Sequence, residues 1–311
     1  MAVVEDGRRQ LANLIHSQVA LHEEFGGVVP EVAARAHLEK LPGLVTAALA
    51  EAGVTAGQLD RVGVTRGPGL VGCLLIGVGM ARGLAAGWGK PVVGVNHLWG
   101  HVYAALLTEP SLEPPLLALV VSGAHSDLVW MAGHGRFEVL GRTRDDAAGE
   151  AFDKAARMLG LGYPGGPALD RLARTGDARR QRLPRPSLPG LEYSFSGLKT
   201  ALRYRLRDLG ESLPEQTRAD LAAAFEASVV ESLLEKLGLA LAGRPAAEVV
   251  VCGGVAANTL LRRRAAEVVA AAGARLTIPP LVLCTDNGAM IAAAAHHAPQ
   301  ADLEVDPGLG W

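Results

Sequence analysis

The stretch Pro91-Val92-Val93-Gly94-Val95-Asn96-His97-Leu98-Trp99-Gly100-His101 decides how the rest of the chain is read. Its first five residues form a short apolar run of the kind buried as a strand, so the histidines after it sit where a strand passes into a helix. Sites in α/β proteins gather at such strand ends. In a helix, residues four apart share a face, which stacks His97 above His101. A pair at this spacing can chelate a divalent metal, but it is more often two satisfied or solvated histidines. Spacing alone leaves both readings open, and a metal needs a third ligand from elsewhere.

Working outward, further strand-like runs at residues 61–64, 116–121 and 248–252 alternate with helical patterns at 35–52 and 220–241. That alternation is the signature of an α/β protein. Several of the runs lead into glycine-containing turns: Arg66-Gly67-Pro68-Gly69, Ser122-Gly123-Ala124-His125 and Gly253-Gly254-Val255-Ala256-Ala257-Asn258. Amides freed at such turns can cradle phosphate, whereas any one of them alone is equally a plain turn.

Composition narrows the class. The chain has 311 residues, 49% hydrophobic and 20% charged, with 38 glycines, which suits an α/β enzyme too large for a single core. A formal net charge of −2 excludes a globally basic nucleic-acid binder and leaves any RNA contact to local patches. Cys73, Cys252 and Cys284 are odd in number and widely spaced, which argues against a disulfide framework and fits a reducing compartment. Residues 67–89 form the longest apolar run, but Pro68, Arg82 and several glycines suit a buried loop and helix better than a membrane span. At the start, a short apolar stretch precedes the charges, the reverse of a signal peptide, so the expected location is the cytoplasm, with no membrane contact.

Between Leu161 and Tyr193 the periodicity loosens into an expected irregular insertion carrying Arg171, Arg174, Arg179, Arg180, Arg182 and Arg185. These arginines either contact RNA phosphates or form a solvated surface, and the sequence does not choose. Arg262-Arg263-Arg264 is weaker evidence, since helix faces often carry such runs.

A string of motifs runs through the chain in order: Gly26-Gly27-Val28-Val29-Pro30-Glu31, Gly67-Pro68-Gly69-Leu70, His97 to His101, Ser122-Gly123-Ala124-His125 and Asp145-Asp146-Ala147-Ala148-Gly149-Glu150-Ala151-Phe152-Asp153-Lys154. They continue with Tyr163-Pro164-Gly165-Gly166-Pro167, Ser194-Phe195-Ser196-Gly197-Leu198-Lys199-Thr200 and Cys284-Thr285-Asp286-Asn287-Gly288. Taken together, this string resembles the tRNA N6-adenosine threonylcarbamoyltransferase family. The resemblance implies an actin-like ATPase fold, two ribonuclease-H-like lobes whose mixed sheets are flanked by helices. The lobes are expected at 1–112 and 113–311, with the last helix packing back on the first lobe.

By the same resemblance, His97, His101 and Asp286 bind one metal, Fe(2+) or Zn(2+), which supplies the missing third ligand. Read alone, Asp286 in an Asp-Asn-Gly string is a turn or cap residue. The adenylate end of the substrate falls on Val120, Val121, Ser122, Gly123 and Ala124, with Asp153, Gly166, Asp170 and Asn258 around the nucleoside. Carboxylates there can accept hydrogen bonds from ribose hydroxyls, and Asn258 can serve ribose or base. Without the family, Asp170 reads as a surface helix carboxylate and Asn258 as an N-cap. His125, just after the turn, is a candidate general base.

The implied reaction moves a threonylcarbamoyl group from threonylcarbamoyl-AMP to the N6 amine of the adenosine 3′ of the anticodon, with a smaller actin-like subunit and an ATPase subunit as partners. A non-catalytic actin-like scaffold of the same complex is the second reading, opposed by retention of the triad. A metalloprotease ranks last, because no His-Glu-x-x-His is present. The resemblance is incomplete in three places. Family members open with a strand and an acidic phosphate loop, and this sequence starts within what corresponds to the second strand; a start recorded too far downstream is expected rather than a shortened, inactive relative. Trp99 replaces a glutamate, and Ala124 with Ser126 replaces a Gly-Gly-His-Thr pattern. A Cβ at 124 is expected to crowd phosphate and to resist a positive φ.

Overall fold

The computed structural model describes residues 1–210, 212–299 and 303–311. The chain divides into two compact units: Met1–Pro114 with Met131–Glu138 and Pro279–Trp311, and Pro115–Trp130 with Val139–Ile278.

In the first unit, β1 (Ala2–Glu5) and β2 (Arg9–Asn13) form an antiparallel hairpin. They are followed by α1 (Val19–Glu23) and α2 (Pro30–Ala52). Pro30 opens α2, where its missing N–H costs nothing, and Gly53, at φ 67°, closes it. The pair β3 (Val62–Gly67) and β4 (Val92–Asn96) is parallel, joined through α3 (Val71–Trp88). By length and composition α3 would pass for a membrane span. Its buried residues, Leu74, Val78, Ala81 and Ala85, recur every three or four positions, however, and the helix packs on β3 and α2. Then α4 (His97–Thr108) starts directly at the end of β4.

The second unit is built on a sheet of order β7-β6-β5-β8-β9. Its elements are β5 (Leu116–Val121), β6 (Ser126–Gly133) as far as Trp130, β7 (Arg136–Arg142) from Val139, α5 (Ala148–Met158), α6 (Gly165–Ala173), α7 (Ser196–Leu209), α8 (Glu215–Gly243), β8 (Glu248–Cys252), α9 (Thr259–Ala271) and β9 (Arg275–Thr277). All six residues of β5 are buried, and β5 runs parallel to β8. Burial on both faces is why these strands read as unbroken apolar runs rather than as alternations. The chain then returns to the first unit through α10 (Leu281–Cys284) and α11 (Gly288–His297), and α11 packs on α4, β1 and β3.

Two expectations change. The stretch expected to be irregular contains α6, which opens on Pro164-Gly165-Gly166-Pro167, residues of poor helix propensity. Burial of Leu169, Asp170 and Ala173 holds that helix instead. Ala124 does not sit at positive φ: among the described residues Asp6 is the only non-glycine that does. The backbone at 124 therefore carries no strain that a glycine would relieve.

Candidate functional site

The first unit gathers the histidine pair. Asn96 ends β4 and caps α4, its Oδ1 accepting from the Leu98 N–H at 2.8 Å, so the strand turns into helix at His97. His97 and His101 follow on one face, their ring centroids 4.8 Å apart at 76°. Across from them, Asn287 caps α11 by accepting from Met290 N at 2.9 Å. The capping duty expected of Asp286 thus belongs to its neighbour, and the Asp286 carboxylate is left to face the imidazoles. Asp286 Oδ1 lies 3.5 Å from His97 Nε2 and 3.6 Å from His101 Nε2. Where α4 meets α11, Gly100 leaves room for the Ile291 side chain, whose Cδ1 would lie 2.8 Å from a methyl at that position.

Whether these residues fit a metal is decided by their donor atoms. All three ligand atoms lie within 4.8 Å of one another. Nitrogen and oxygen donors bound at roughly 2.1 Å to one ion lie about 3–3.5 Å apart, and two imidazoles with one carboxylate leave further positions open. The arrangement fits a divalent ion. His101 is 1% exposed and Asp286 78%, so one ligand is fixed in the core while another faces solvent.

The second unit assembles the strand-end turn. The Ser122 N–H donates to His125 O at 2.8 Å, and Ser122 Oγ accepts from the His125 N–H at 3.2 Å, which closes Ser122-Gly123-Ala124-His125 into a tight loop after Val120 and Val121. The N-terminus of α5 docks on it: Gly149 donates to Ser122 O at 3.1 Å, and a Cβ at 149 would sit 2.5 Å from that oxygen. By contrast, a Cβ at Gly123 or Gly166 would meet nothing within 4 Å. Space beside both glycines is open. Asp153 reaches from α5 to the start of α6, accepting from Gly166 N at 3.1 Å. Burial raises the Asp153 carboxyl above its ordinary range, against the pull of the Gly166 and Gly165 amides.

Asp170 and Asn258 belong to one buried network. Asn258 Oδ1 caps α9 through Leu261 N at 2.8 Å, while its Nδ2 donates to Asp170 Oδ1 at 3.2 Å and to Glu226 Oε1 at 2.6 Å. Both amide hydrogens are therefore spent, and one Oδ1 lone pair is what Asn258 retains for another partner. Asp170 also accepts from Thr259 N, at 3.1 Å, from the Thr259 hydroxyl and from Arg174. Burial works to raise the Asp170 carboxyl, but the Thr259 and Arg174 hydrogen bonds outweigh it and hold the group low. Glu226 goes the other way: burial, with Asp170 beside it, pushes it up to about 8 despite the bond from Asn258. Sequence reasoning passed over Glu226. Its signal is an acid inside the apolar stretch 221–230 of α8, a position that a carboxylate occupies only when paired or protonated.

The signature Asp145-Asp146 and the signature Ser194 to Lys199 prove to be each other's partners. Asp145 accepts from Phe195 N at 2.8 Å and from the Ser194 and Ser196 hydroxyls. Asp146 bridges Lys154, at 2.8 Å, and Lys199, at 2.9 Å. These two motifs tie α7 to the turn before α5.

Comparison with known proteins places the chain. Two solved structures share its architecture at low identity. Full-length HypF in its phosphate- and nucleotide-bound form has TM-score 0.61 and 15% identity, covering 82% of this chain and 40% of that one. The Acidaminococcus fermentans (R)-2-hydroxyglutaryl-CoA dehydratase component A has TM-score 0.51 and 17% identity, covering 96% and 92%. The fold is the actin-like ATPase fold, and within it the two-histidine, one-carboxylate cluster marks a candidate metalloenzyme. The profile of tRNA N6-adenosine threonylcarbamoyltransferase matches residues 9–293. A protein of that name from Symbiobacterium thermophilum is 53% identical over 316 residues, covering 99% of this chain and 92% of its own length. Another, from Bordetella pertussis, is 51% identical over 309 residues, covering 97% and 89%. The chain belongs to the tRNA N6-adenosine threonylcarbamoyltransferase family, and with it to the acyltransferases.

Proposed function

We propose that the protein transfers the threonylcarbamoyl group of threonylcarbamoyl-AMP to the N6 amine of adenosine 37, 3′ of the anticodon, in tRNAs that read codons beginning with A, and releases AMP. The observation that carries this reading is the convergence of His97, His101 and Asp286, donor atoms within 4.8 Å, in a member of this family. These side chains would hold one divalent ion, Fe(2+) foremost or Zn(2+), which when bound supplies a Lewis acid for a substrate carbonyl.

The rest of the work falls to binding and orientation. An adenine amine is a weak nucleophile because its lone pair is delocalised into the ring, so the reactants must be held in line. The Ser122-Gly123-Ala124 turn, with open space over Gly123, receives the adenylate phosphate. Val120 and Val121 carry the chain to that turn, Asp153 and Gly166 frame the nucleoside, and Asp170 and Asn258 complete the frame at the start of α9. The target base leaves the anticodon-loop stack to react, as bases do in enzymes that modify them. His125, at the end of the turn, is the candidate base for the amine proton. Exposed Val19, Leu21, Phe25, Val28 and Leu38 support docking of a smaller actin-like subunit, with an ATPase subunit completing the complex in the cytoplasm.

The test is transfer from threonylcarbamoyl-AMP to unmodified tRNA with the partner subunits present. Wild type yields product, and His97→Ala yields at least about a hundredfold less. Product independent of His97 removes the metal role. No product from wild type assigns the chain to the scaffold reading.

A further inference from the structure

Positive charge is segregated in this chain. Between Ala178 and Arg207 there are eight lysines and arginines and one acid, Glu192, in a protein whose net charge is −2. Part of that charge is neutralised locally: Lys199 pairs with Asp146, and Arg179 and Arg180 with Asp177. Arg182, Arg185, Arg203 and Arg207 remain on the surface, and among the described residues only Arg207 of these four has a carboxylate neighbour, Asp208 at 3.5 Å.

The segment that carries Arg182 and Arg185 is pinned down although it is irregular. Ser232 of α8 donates its hydroxyl to Pro186 O at 2.7 Å, and Lys236, 3% exposed, donates to Leu188 O at 2.5 Å. Arg205 of α7 donates to Gln181 Oε1 at 3.1 Å. A cleft of about 390 Å³ opens where Arg179, Gln181 and Arg182 face Ala224, Ala227 and Ser228 of α8.

On α7 the pattern is aromatic as well as basic. Tyr204 is 48% exposed, and the guanidinium carbons of Arg203 and Arg207 lie 5.7 and 5.0 Å from its ring centroid. By helical periodicity Tyr204 stands between the Arg203–Arg207 edge and Arg205, whose side chain meets the arginine segment. A charged ridge thus runs from Arg182 across Arg205 and Tyr204 to Arg207. An exposed ring with two guanidinium groups over it contributes little to a core; rings and guanidinium planes together form the kind of surface on which a splayed base stacks while the arginines hold phosphates.

We propose that this ridge, Arg182 and Arg185 with Arg203, Tyr204 and Arg207, is an RNA-docking surface that holds backbone phosphates and stacks one unpaired base. The inference rests on the tRNA-modifying reading above and assigns a surface of the second unit to its macromolecular substrate. An acidic protein segment is the competing occupant, and the face is better suited to RNA because charge alone would not call for the exposed ring.

The test is binding of the full chain to an unmodified tRNA transcript across a salt series. Replacing Arg203 and Arg207 together by glutamate weakens binding at least about tenfold and flattens the dependence of log affinity on log salt by about 0.7–0.9 for each phosphate no longer neutralised. Tyr204→Ala weakens binding about fivefold or more, and leaves the salt slope unchanged, because stacking releases no counterions. AMP binding and the circular dichroism spectrum stay as in wild type for both variants. Wild type that binds tRNA and variants that bind it equally well with an equal slope overturn the surface alone. Retained tRNA affinity with lost affinity for a polyglutamate peptide gives the face to a protein partner and overturns the RNA assignment. Wild type that binds no tRNA either alone or with the partner subunits present overturns the transferase reading together with the surface.

Discussion

Two sets of carboxylates, one in each unit, are built in opposite ways. Asp286 is 78% exposed, and its Oδ1 stands off from two imidazole nitrogens at 3.5 and 3.6 Å. Asp170 and Glu226 are 7% and 6% exposed and are bound to Asn258, Thr259 and Arg174. The difference teaches what each set is for. An acid relieved of capping by its neighbour and turned towards two histidines is placed for a ligand, whereas acids whose lone pairs are committed to side chains and helix ends hold a frame.

The sharpest way to break the comparison is to exchange roles. Asp286→Ala is expected to cost at least about a hundredfold in transfer rate while leaving thermal unfolding nearly unchanged, since the side chain is largely solvated. Glu226→Ala is expected to do the reverse in order of severity. It leaves the Asn258 amide buried and short of an acceptor, a loss of about 1–3 kcal/mol in denaturant unfolding, with Glu226→Gln milder. A metal-deficient Glu226→Ala of wild-type stability would dissolve the distinction.

Acidity sharpens it further. The Glu226 carboxyl is raised from an ordinary 4.5 to about 8 in the fold, so its contribution is full below pH 4.5 and falls as pH rises through 8. Asp170 is held low, so its contribution is present above the ordinary carboxylate range and is lost on acidification. Stability should therefore decline from mildly acidic towards alkaline pH, and Glu226→Gln should flatten that decline. Urea midpoints measured across the range decide this, and an unchanged slope in the variant refutes the buried, protonated Glu226.

How much was legible in the sequence follows the same division. The strands, their glycine turns and the histidine pair are local patterns, and periods of two, of 3.6 and of apolar runs display them. Asp286 has no such pattern, because its place depends on α11 packing against α4, far away in sequence; only the family resemblance pointed to it. Glu226 escaped notice altogether, since one acid in an apolar helix has no spacing to recognise. The helix at Gly165–Ala173 was hidden by its Pro-Gly-Gly-Pro opening, where tertiary burial overrides propensity.

The smallest expected effect lies at Ala124. With no positive φ to relieve, Ala124→Gly should leave unfolding unchanged and raise AMP affinity by no more than a few fold, the Cβ being exposed. Calorimetric titration measures it, and a large gain would return crowding of the phosphate to the account. Gly123→Val should act more strongly, filling the open space over the turn.

The central claim is that His97, His101 and Asp286 together hold the ion the transfer reaction needs. It is tested most directly by stripping wild type and Asp286→Ala with a chelator, adding back Fe(2+), and measuring bound metal and a single turnover of threonylcarbamoyl transfer in the same samples. The account predicts about one ion per chain and restored turnover in wild type, with neither in Asp286→Ala. Full turnover by the stripped wild type, or by Asp286→Ala without bound metal, would contradict it.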